Sequence, residues 1–292
     1  MMETMEQGLS QAPSSPTMSG KDFSRLSELI YTRCGIKLPD VKKTMLEARL
    51  QKRIRALKLG SFNEYCAYLF SPKGMEEEFV PMVDLVTTNK TDFFREPDHF
   101  EYLIRTALPD LLNHYDIGLR TKLCLWSAGC STGEEPYTIA MVVGEFGENH
   151  PGYRFSVIAT DISTRVLKHG KAAIYEEERV LPVPLALKKK YLLRGKDSHK
   201  GYVKIAPGLR ALVDFRRLNF MDSTYDIHEP IHVIFCRNVI IYFDRMTQER
   251  ILQRLCRHLS PGGYIFMGHS EALHGMDLPL VQVAPTVYRR AS

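Results

Sequence analysis

Apolar residues recur at three- and four-residue intervals through the first third of the chain, then give way to short unbroken runs. Phe23, Leu26, Leu29 and Ile30 share one helical face, and Met45, Leu46, Leu50, Ile54 and Leu57 share another. Tyr65, Tyr68 and Leu69 keep the same period, as do Phe79, Met82, Val83 and Val86. The spacing predicts an all-helical domain over residues 21–86. Residues 1–20, rich in Met, Ser, Pro, Gln and Gly, have the composition of a disordered tail. Residues 87–120 read as a linker and a connecting helix. From 121 to 292 apolar runs alternate with helical patterns. Strand candidates are 122–127, 154–160, 212–218, 231–236 and 263–267, with a closing hairpin over 279–289 that turns at Ala284-Pro285-Thr286. Such alternation predicts an α/β domain built on a parallel, doubly wound sheet. The interval 175–210 interrupts it with a charged stretch, Pro182, Pro184 and two short strands around a Gly/Asp/Ser loop. That pattern predicts a small antiparallel β subdomain inserted at the sheet edge.

Composition narrows the class. A chain of 292 residues with 44% hydrophobic content can bury a full core and form two domains. The formal net charge of +5 is too small to argue for nucleic acid, but it favours acidic partners. Six cysteines (Cys34, Cys66, Cys124, Cys130, Cys236, Cys256) show no C-x-x-C pair and no ligand spacing, so no metal site is expected. They read as reduced core residues of a cytoplasmic protein. No apolar run reaches membrane-spanning length, and the first residues lack the layout of a signal peptide.

The most informative stretch is Leu123-Cys-Leu-Trp-Ser-Ala-Gly-Cys-Ser-Thr-Gly-Glu-Glu-Pro136. An apolar strand passes through Gly129 and Gly133 into a helix, which is the first βα unit of a nucleotide-type fold. No G-x-G-x-x-G is present, and Glu134 and Glu135 open the helix. A helix start that cradles a pyrophosphate needs open N–H groups without competing negative charge. Two carboxylates suit a ligand with positive charge and no phosphate, such as S-adenosylmethionine. They also complement the helix dipole with no ligand at all.

Other candidates lie at strand ends. Asp161 closes the second strand, where this fold holds ribose hydroxyls, although it also reads as a helix cap. Asn219 and Phe220 follow the third strand and suit the edge and face of an adenine, although Asn is also an ordinary turn residue. Arg237 and Asn238 interrupt an apolar run where the fourth strand ends, a costly placement that points either to a role in a site or to a structurally paired arginine. Between the two domains, Asn89, Thr91 and Arg95 surround Phe93 and Phe94; Arg95 is suited to a bidentate grip on a carboxylate, and the segment reads equally as a helix cap with a core Phe pair.

Taken together, Thr88-Asn-Lys-Thr-Asp-Phe-Phe-Arg-Glu96, Ser127-Ala-Gly-Cys-Ser-Thr-Gly-Glu-Glu-Pro-Tyr137, Ala159-Thr-Asp161, Phe235-Cys-Arg-Asn-Val-Ile-Ile-Tyr-Phe243 and Gly268-His-Ser-Glu271 resemble the chemotaxis receptor glutamate methyltransferases. The resemblance runs in the same motif order over nearly the whole chain after residue 21. It implies a helical N-terminal domain, a Rossmann-like methyltransferase domain and a β subdomain. It also implies a cytoplasmic monomer that transfers methyl from S-adenosylmethionine to glutamate side chains of membrane chemoreceptors, leaving S-adenosylhomocysteine. Carried over by motif, the cofactor contacts are Asn89, Thr91, Arg95, Glu135, Asp161, Asn219, Phe220, Arg237 and Asn238, with Tyr242 beside the transferring methyl. Arg95 and Tyr242 are the expected catalytic residues. A target carboxylate, with a reference pKa of about 4.3, is already ionised near neutrality, so the chemistry asks for alignment and desolvation more than for a base.

Lys42, Lys43, Arg49, Lys52, Arg53 and Arg55 predict a basic helix face that steers toward acidic receptor helices. The resemblance also implies a β subdomain that in some family members grips a receptor C-terminal peptide, with strand addition the natural mode, and the loop Arg194–Gly201 is similar in length to the peptide-binding kind. Three rival readings accompany this one. Gly129-Cys-Ser-Thr-Gly133 fits a hydrolase nucleophile elbow at Ser131, with Asp214 or Asp222 and His258 or His269 as partners. A nucleic-acid methyltransferase would share the cofactor site, but the usual Asn/Asp-Pro-Pro-aromatic motif is absent. A binding module that only senses the cofactor is the third.

Overall fold

In the computed structural model, residues 16–291 are described, and they fall into two compact units. One takes the chain up to Leu29 together with Leu38–Val86; the other takes Ile30–Lys37 and everything from Thr87.

The first unit is helical: α1 (Gly20–Cys34, whose last turn is counted with the second unit), α2 (Lys43–Ala56), α3 (Phe62–Leu69), α4 (Pro72–Glu77) and α5 (Phe79–Val86). Ser61 and Ser71 cap α3 and α4 by accepting the N–H groups of Glu64 and Gly74. Leu46, Leu50 and Ile54 line the buried face of α2, at the spacing the sequence shows. The expected tail is too long at its far end. Met18 is buried and its N–H donates to Glu47 (2.8 Å), while Gln51 donates to the Pro16 carbonyl (2.7 Å). Residues 16–20 are therefore tied to α2, and 1–15 lie outside the described residues.

The second unit opens with α6 (Pro97–Tyr102), a wide π turn (Leu103–Ala107) and α7 (Leu108–Tyr115). A sheet domain follows: β1 (Leu123–Ala128), α8 (Glu134–Glu148), β2 (Phe155–Asp161) and α9 (Thr164–Ala172). Then come β3 (Ile174–Glu176), α10 (Leu185–Tyr191), β4 (Leu192–Arg194), β5 (Tyr202–Ile205) and α11 (Pro207–Arg210). The chain closes with β6 (Val213–Arg217), β7 (Ile231–Cys236), α12 (Arg245–His258), β8 (Leu259–Met267), β9 (Leu280–Ala284) and β10 (Val287–Arg290).

The seven-stranded sheet has the order β6-β2-β1-β7-β8-β10-β9. Strands β6, β2, β1, β7 and β8 pair in parallel, and the β9–β10 hairpin adds antiparallel to β8. Successive residues of the central strands feed opposite faces. Leu125 and Phe235 enter one apolar cluster, and Trp126 and Ile234 enter the other. Both faces of β1 and β7 are buried, which is why these strands read as unbroken apolar runs. Strands β3, β5 and β4 form the separate antiparallel sheet expected at 175–210, with one strand more than the two foreseen, β3, which starts at Ile174. All six cysteines are free and buried.

Candidate active site

The strand order reverses at β1, between β2 and β7, and the polar motifs gather at the carboxyl ends of these strands. The chain leaves β1 through a turn with positive φ at Gly129 (92°), Ser131 (48°) and Gly133 (100°). A side chain on Gly129 would meet Val239 at 2.4 Å, so the first glycine permits close approach of the β7 exit loop. The turn is pinned to β2. The N–H groups of Gly129 and Cys130 both bond to the Thr160 carbonyl (2.8 Å each), and Ser131 N–H donates to the Asp161 carboxylate (2.9 Å). The other Asp161 oxygen accepts Ser163 N–H (2.9 Å), while Ser163 itself caps α9. Asp161 is thus held half-buried at the strand end, and the capping role belongs to its neighbour.

Glu134 and Glu135 are both buried, and each has an internal cation. Glu134 takes Arg179 (2.7 Å) and the Thr132 hydroxyl (2.6 Å). Glu135 takes the Ser127 hydroxyl (2.6 Å) and Arg237 Nε (2.8 Å). The helix start therefore does not present two uncompensated negative charges, as the bare sequence suggested. Pairing is what permits carboxylates to be buried there.

Arg237 is the centre of a larger network. Its side chain is 2% exposed, and Nη1 donates to the Arg95 carbonyl (2.8 Å) and to His99 Nδ1 (3.1 Å), with Glu96 at 3.5 Å. The Thr286 hydroxyl is committed to the Pro285 carbonyl, so it accepts from His99 Nε2 (2.8 Å). This network assigns the Nε2–H tautomer to His99. Burial and the adjacent Arg237 push the His99 pKa down to about 4, so the ring stays neutral near pH 7.

The loop before α6 carries Asn89, Thr91 and Arg95. Ser131 donates its hydroxyl to the Asn89 carbonyl (2.9 Å), and Arg179 donates to the Thr91 carbonyl (2.6 Å). The Thr91 side chain is buried. Phe94 and Glu96 both sit at φ 55°, on either side of Arg95, a conformation L residues other than Asn and Asp seldom adopt. The half-buried Arg95 guanidinium reaches back to the Lys90 carbonyl (3.2 Å).

On the β7 side, Asn238 (φ 57°) donates from its side chain to Glu96 (3.3 Å). A short 3-10 turn, Ile240–Tyr242, brings Tyr242 out to about one-third exposure. These bonds join Asn89 to Asp161 through Ser131, Thr91 to Glu134 through Arg179, and Arg95, Glu135 and Asn238 to Arg237 and Glu96, and the chain from Ser131 to Glu135 connects the three sets. Asn219 and Phe220 stand one strand further out. Leu218 N–H bonds to the Asp161 carbonyl (3.0 Å), Asn219 donates to the Arg33 carbonyl (2.7 Å), and Phe220 packs edge-on against Tyr225 and Phe243.

Residues 89–288 match the SAM-binding domain of the CheR methyltransferases, and residues 21–87 match their all-alpha domain. The chain belongs to the CheR methyltransferase family. It is 39% identical over 272 residues to chemotaxis protein methyltransferase 2 of Pseudomonas aeruginosa, covering 93% of each chain. It is 38% identical over 271 residues to the chemotaxis protein methyltransferase of Escherichia coli (93% of this chain, 91% of the relative). The counterpart from Borreliella burgdorferi is 36% identical over 270 residues (92% and 94%).

Within this CheR chain the hydrolase reading has no support. The Ser131 hydroxyl is donated to a carbonyl, while His258 stacks on Tyr225 and His269 bonds to Asp98. The buried thiols of Cys130 and Cys236 are pushed well above their usual pKa by desolvation, which keeps them from acting as nucleophiles.

Sequence reasoning overestimated the basic face. Arg53 forms a two-pronged pair with the buried Glu78 (2.8 and 2.6 Å), which also accepts the Tyr65 hydroxyl, and Arg49 donates to the Val86 carbonyl. Both lie on the side of α2 that meets the rest of its unit. Lys42, Lys52 and Arg55 are exposed and Lys43 is half-exposed. Three participants escaped the sequence reading: His99, Arg179 and Glu271. Glu271 lay inside a quoted motif with no role assigned, and Arg179 gave no local signal.

Proposed function

We propose that this protein is a protein-glutamate O-methyltransferase acting on the cytoplasmic helices of chemoreceptors. The observation that carries the reading is the pinned glycine turn beside Asp161, at the point where strand order reverses. The donor set fits S-adenosylmethionine, which supplies an electrophilic methyl group on a sulfonium. A fixed carboxylate at Asp161 suits ribose hydroxyls, and a turn free of side chains allows backbone contact with the amino acid portion. Arg95 is assigned the ligand carboxylate, and Asn219 and Phe220 the adenine. Asn89, Thr91 and Asn238 border the same region. Glu135 and Arg237 act as an internally neutral pair that holds the 95–96 segment against the β7 exit. Tyr242 shapes the approach of the target carboxylate and orients it, which raises the share of near-attack geometries without proton removal.

Exposed Lys42, Lys52 and Arg55 on α2, with Lys43 beside them, supply a salt-sensitive attraction for acidic receptor helices. Edge strand β4 adjoins a cavity of about 500 Å³ whose lining includes Val180, Leu181, Leu185 and Leu192, with Lys188 and Arg194 among its charged members. That groove supports docking of a receptor C-terminal peptide by strand addition.

Calorimetric titration with S-adenosylmethionine and S-adenosylhomocysteine, on the wild type and on Asp161→Ala, tests the cofactor. Loss of at least tenfold in affinity is expected from the substitution. Labelled methyl transfer to a receptor fragment tests the product, because a glutamate methyl ester releases methanol in mild alkali, whereas N-methyl groups survive. A base-stable product, or no binding of either compound, would refute the reading.

A further inference from the structure

We propose that Glu271 is a positioning residue for methyl transfer, fixing the turn at the end of β7 through four main-chain hydrogen bonds; this rests on the function proposed above. The buried carboxylate accepts the N–H groups of Asn238 and Gly268 on one oxygen (2.7 Å each). Its other oxygen accepts those of Val239 and Ile240 (2.9 Å each). Among the described residues no cationic side chain pairs with Glu271, and its carboxylate is met by peptide dipoles.

This arrangement answers a specific need. When the chain leaves β7, Asn238 turns to φ 57°, and the N–H groups of Asn238, Val239 and Ile240 point to Glu271 instead of to a strand. They converge into a small concavity of the kind that takes an anion. Left unbonded in a buried setting, each would be destabilising. The carboxylate reaches them because residue 268 is glycine: a Cβ there would meet the Asn238 amide nitrogen at 2.8 Å and Glu271 Oε2 at 2.8 Å. The fixed turn is followed at once by the 3-10 turn that carries Tyr242. It also orients Asn238, whose side chain reaches Glu96 and so joins the Arg237 network. One carboxylate outside the ligand-facing residues thereby sets the position of two residues assigned to the site.

Glu271→Gln keeps the shape but turns two of the four acceptor positions into donors that face N–H groups. A displacement of the turn by about 1 Å should lower kcat by up to roughly a hundredfold. The Kd for S-adenosylhomocysteine should change by less than the fall in kcat. Hydrogen exchange should accelerate at the amides of 238–240 and 268 above the rest of β7 and β8. Asp110→Asn serves as the control: it weakens a pair with Arg289 and Tyr264 away from the site, and at a matched loss of Tm it should retain kcat within twofold. Glu271→Asp, which keeps the charge on a shorter arm, should fall between wild type and the Gln variant, and serves if the Gln variant does not fold. Wild-type kcat in either Glu271 variant, or a loss matched by Asp110→Asn, would overturn the proposal. Failure of the wild type to bind S-adenosylhomocysteine would remove the methyltransferase reading and this role together, whereas normal binding with unaltered turnover in the variants would remove this role alone.

Discussion

Replacing Arg237 with Met should be among the most damaging single changes in the second unit. The side chain is 2% exposed and its Glu135 partner 11%. Removing the guanidinium leaves Glu135 facing only the Ser127 hydroxyl and takes two donated bonds from the Arg95 carbonyl and His99. Breaking a buried pair by deleting one partner costs about 3–5 kcal/mol, because the other charge stays desolvated. Glu135→Gln alone should cost less, about 1–3 kcal/mol, since Arg237 keeps Glu96 within 3.5 Å. The double variant removes the stranded charge and should be more stable than the sum of the two losses by at least about 1 kcal/mol. The chain has one tryptophan, Trp126, fully buried in β1, so its fluorescence reports on this unit during urea unfolding. A loss below about 1 kcal/mol for Arg237→Met, or additivity within about 0.5 kcal/mol, would refute the view that a desolvated ion pair braces the site.

Three further outcomes follow from the same geometry. His99 is neutral when folded, with its pKa near 4 against about 6.5 in the unfolded chain, so the unfolded state binds the proton first as pH falls. Its stabilising contribution, about 3 kcal/mol, is present above pH 6.5 and lost between 6.5 and 4; urea midpoints should fall over that window and flatten in His99→Gln, and an unchanged slope would contradict the assignment. Lys52→Glu with Arg55→Glu should slow receptor methylation at low salt and reduce its salt dependence without changing cofactor affinity, as stopped-time methyl transfer at two ionic strengths would read. Arg53→Glu should instead unfold the first unit by about 3 kcal/mol or more, because it leaves Glu78 buried and unpaired; a soluble variant with normal helicity and slow methylation alone would restore Arg53 to the docking face.

How much could be read in advance depended on whether the signal was local. Strands β1, β2 and β7 announced themselves because burial on both faces forces apolar runs, and the glycine turn because only small residues meet its φ values and close contacts. The insertion was legible from the break in alternation. Contacts distant in sequence left no such mark. Arg53 pairs with a residue 25 positions away and Arg237 with one 102 positions away, so helical spacing counted the first as a solvent-facing charge and a strand end could not name the partner of the second. Residues 16–20 looked like tail because composition cannot show that Met18 finds a pocket against α2.

Three loops of the site place non-glycine residues in the left-handed region: Phe94 and Glu96, Ser131, and Asn238. Each such residue costs about 1–3 kcal/mol. Each loop is also held by bonds that do not require a ligand. Phe94 N–H meets the Thr138 hydroxyl (3.2 Å), Ser131 meets Asp161 and the Asn89 carbonyl, and Asn238 meets Glu271. Bonds to charged groups contribute about 1.5–3 kcal/mol apiece, which is enough to outweigh the backbone strain at Ser131 and Asn238. Those two loops are therefore held in place by the protein's own bonds. The loop around Arg95 must hold two such residues, Phe94 and Glu96, where each of the others holds one, and its bond at Phe94 is neutral, so it is the segment with the smallest margin. Adjustment on ligand binding should concentrate there, and hydrogen exchange with and without S-adenosylhomocysteine should show protection rising most over residues 89–96.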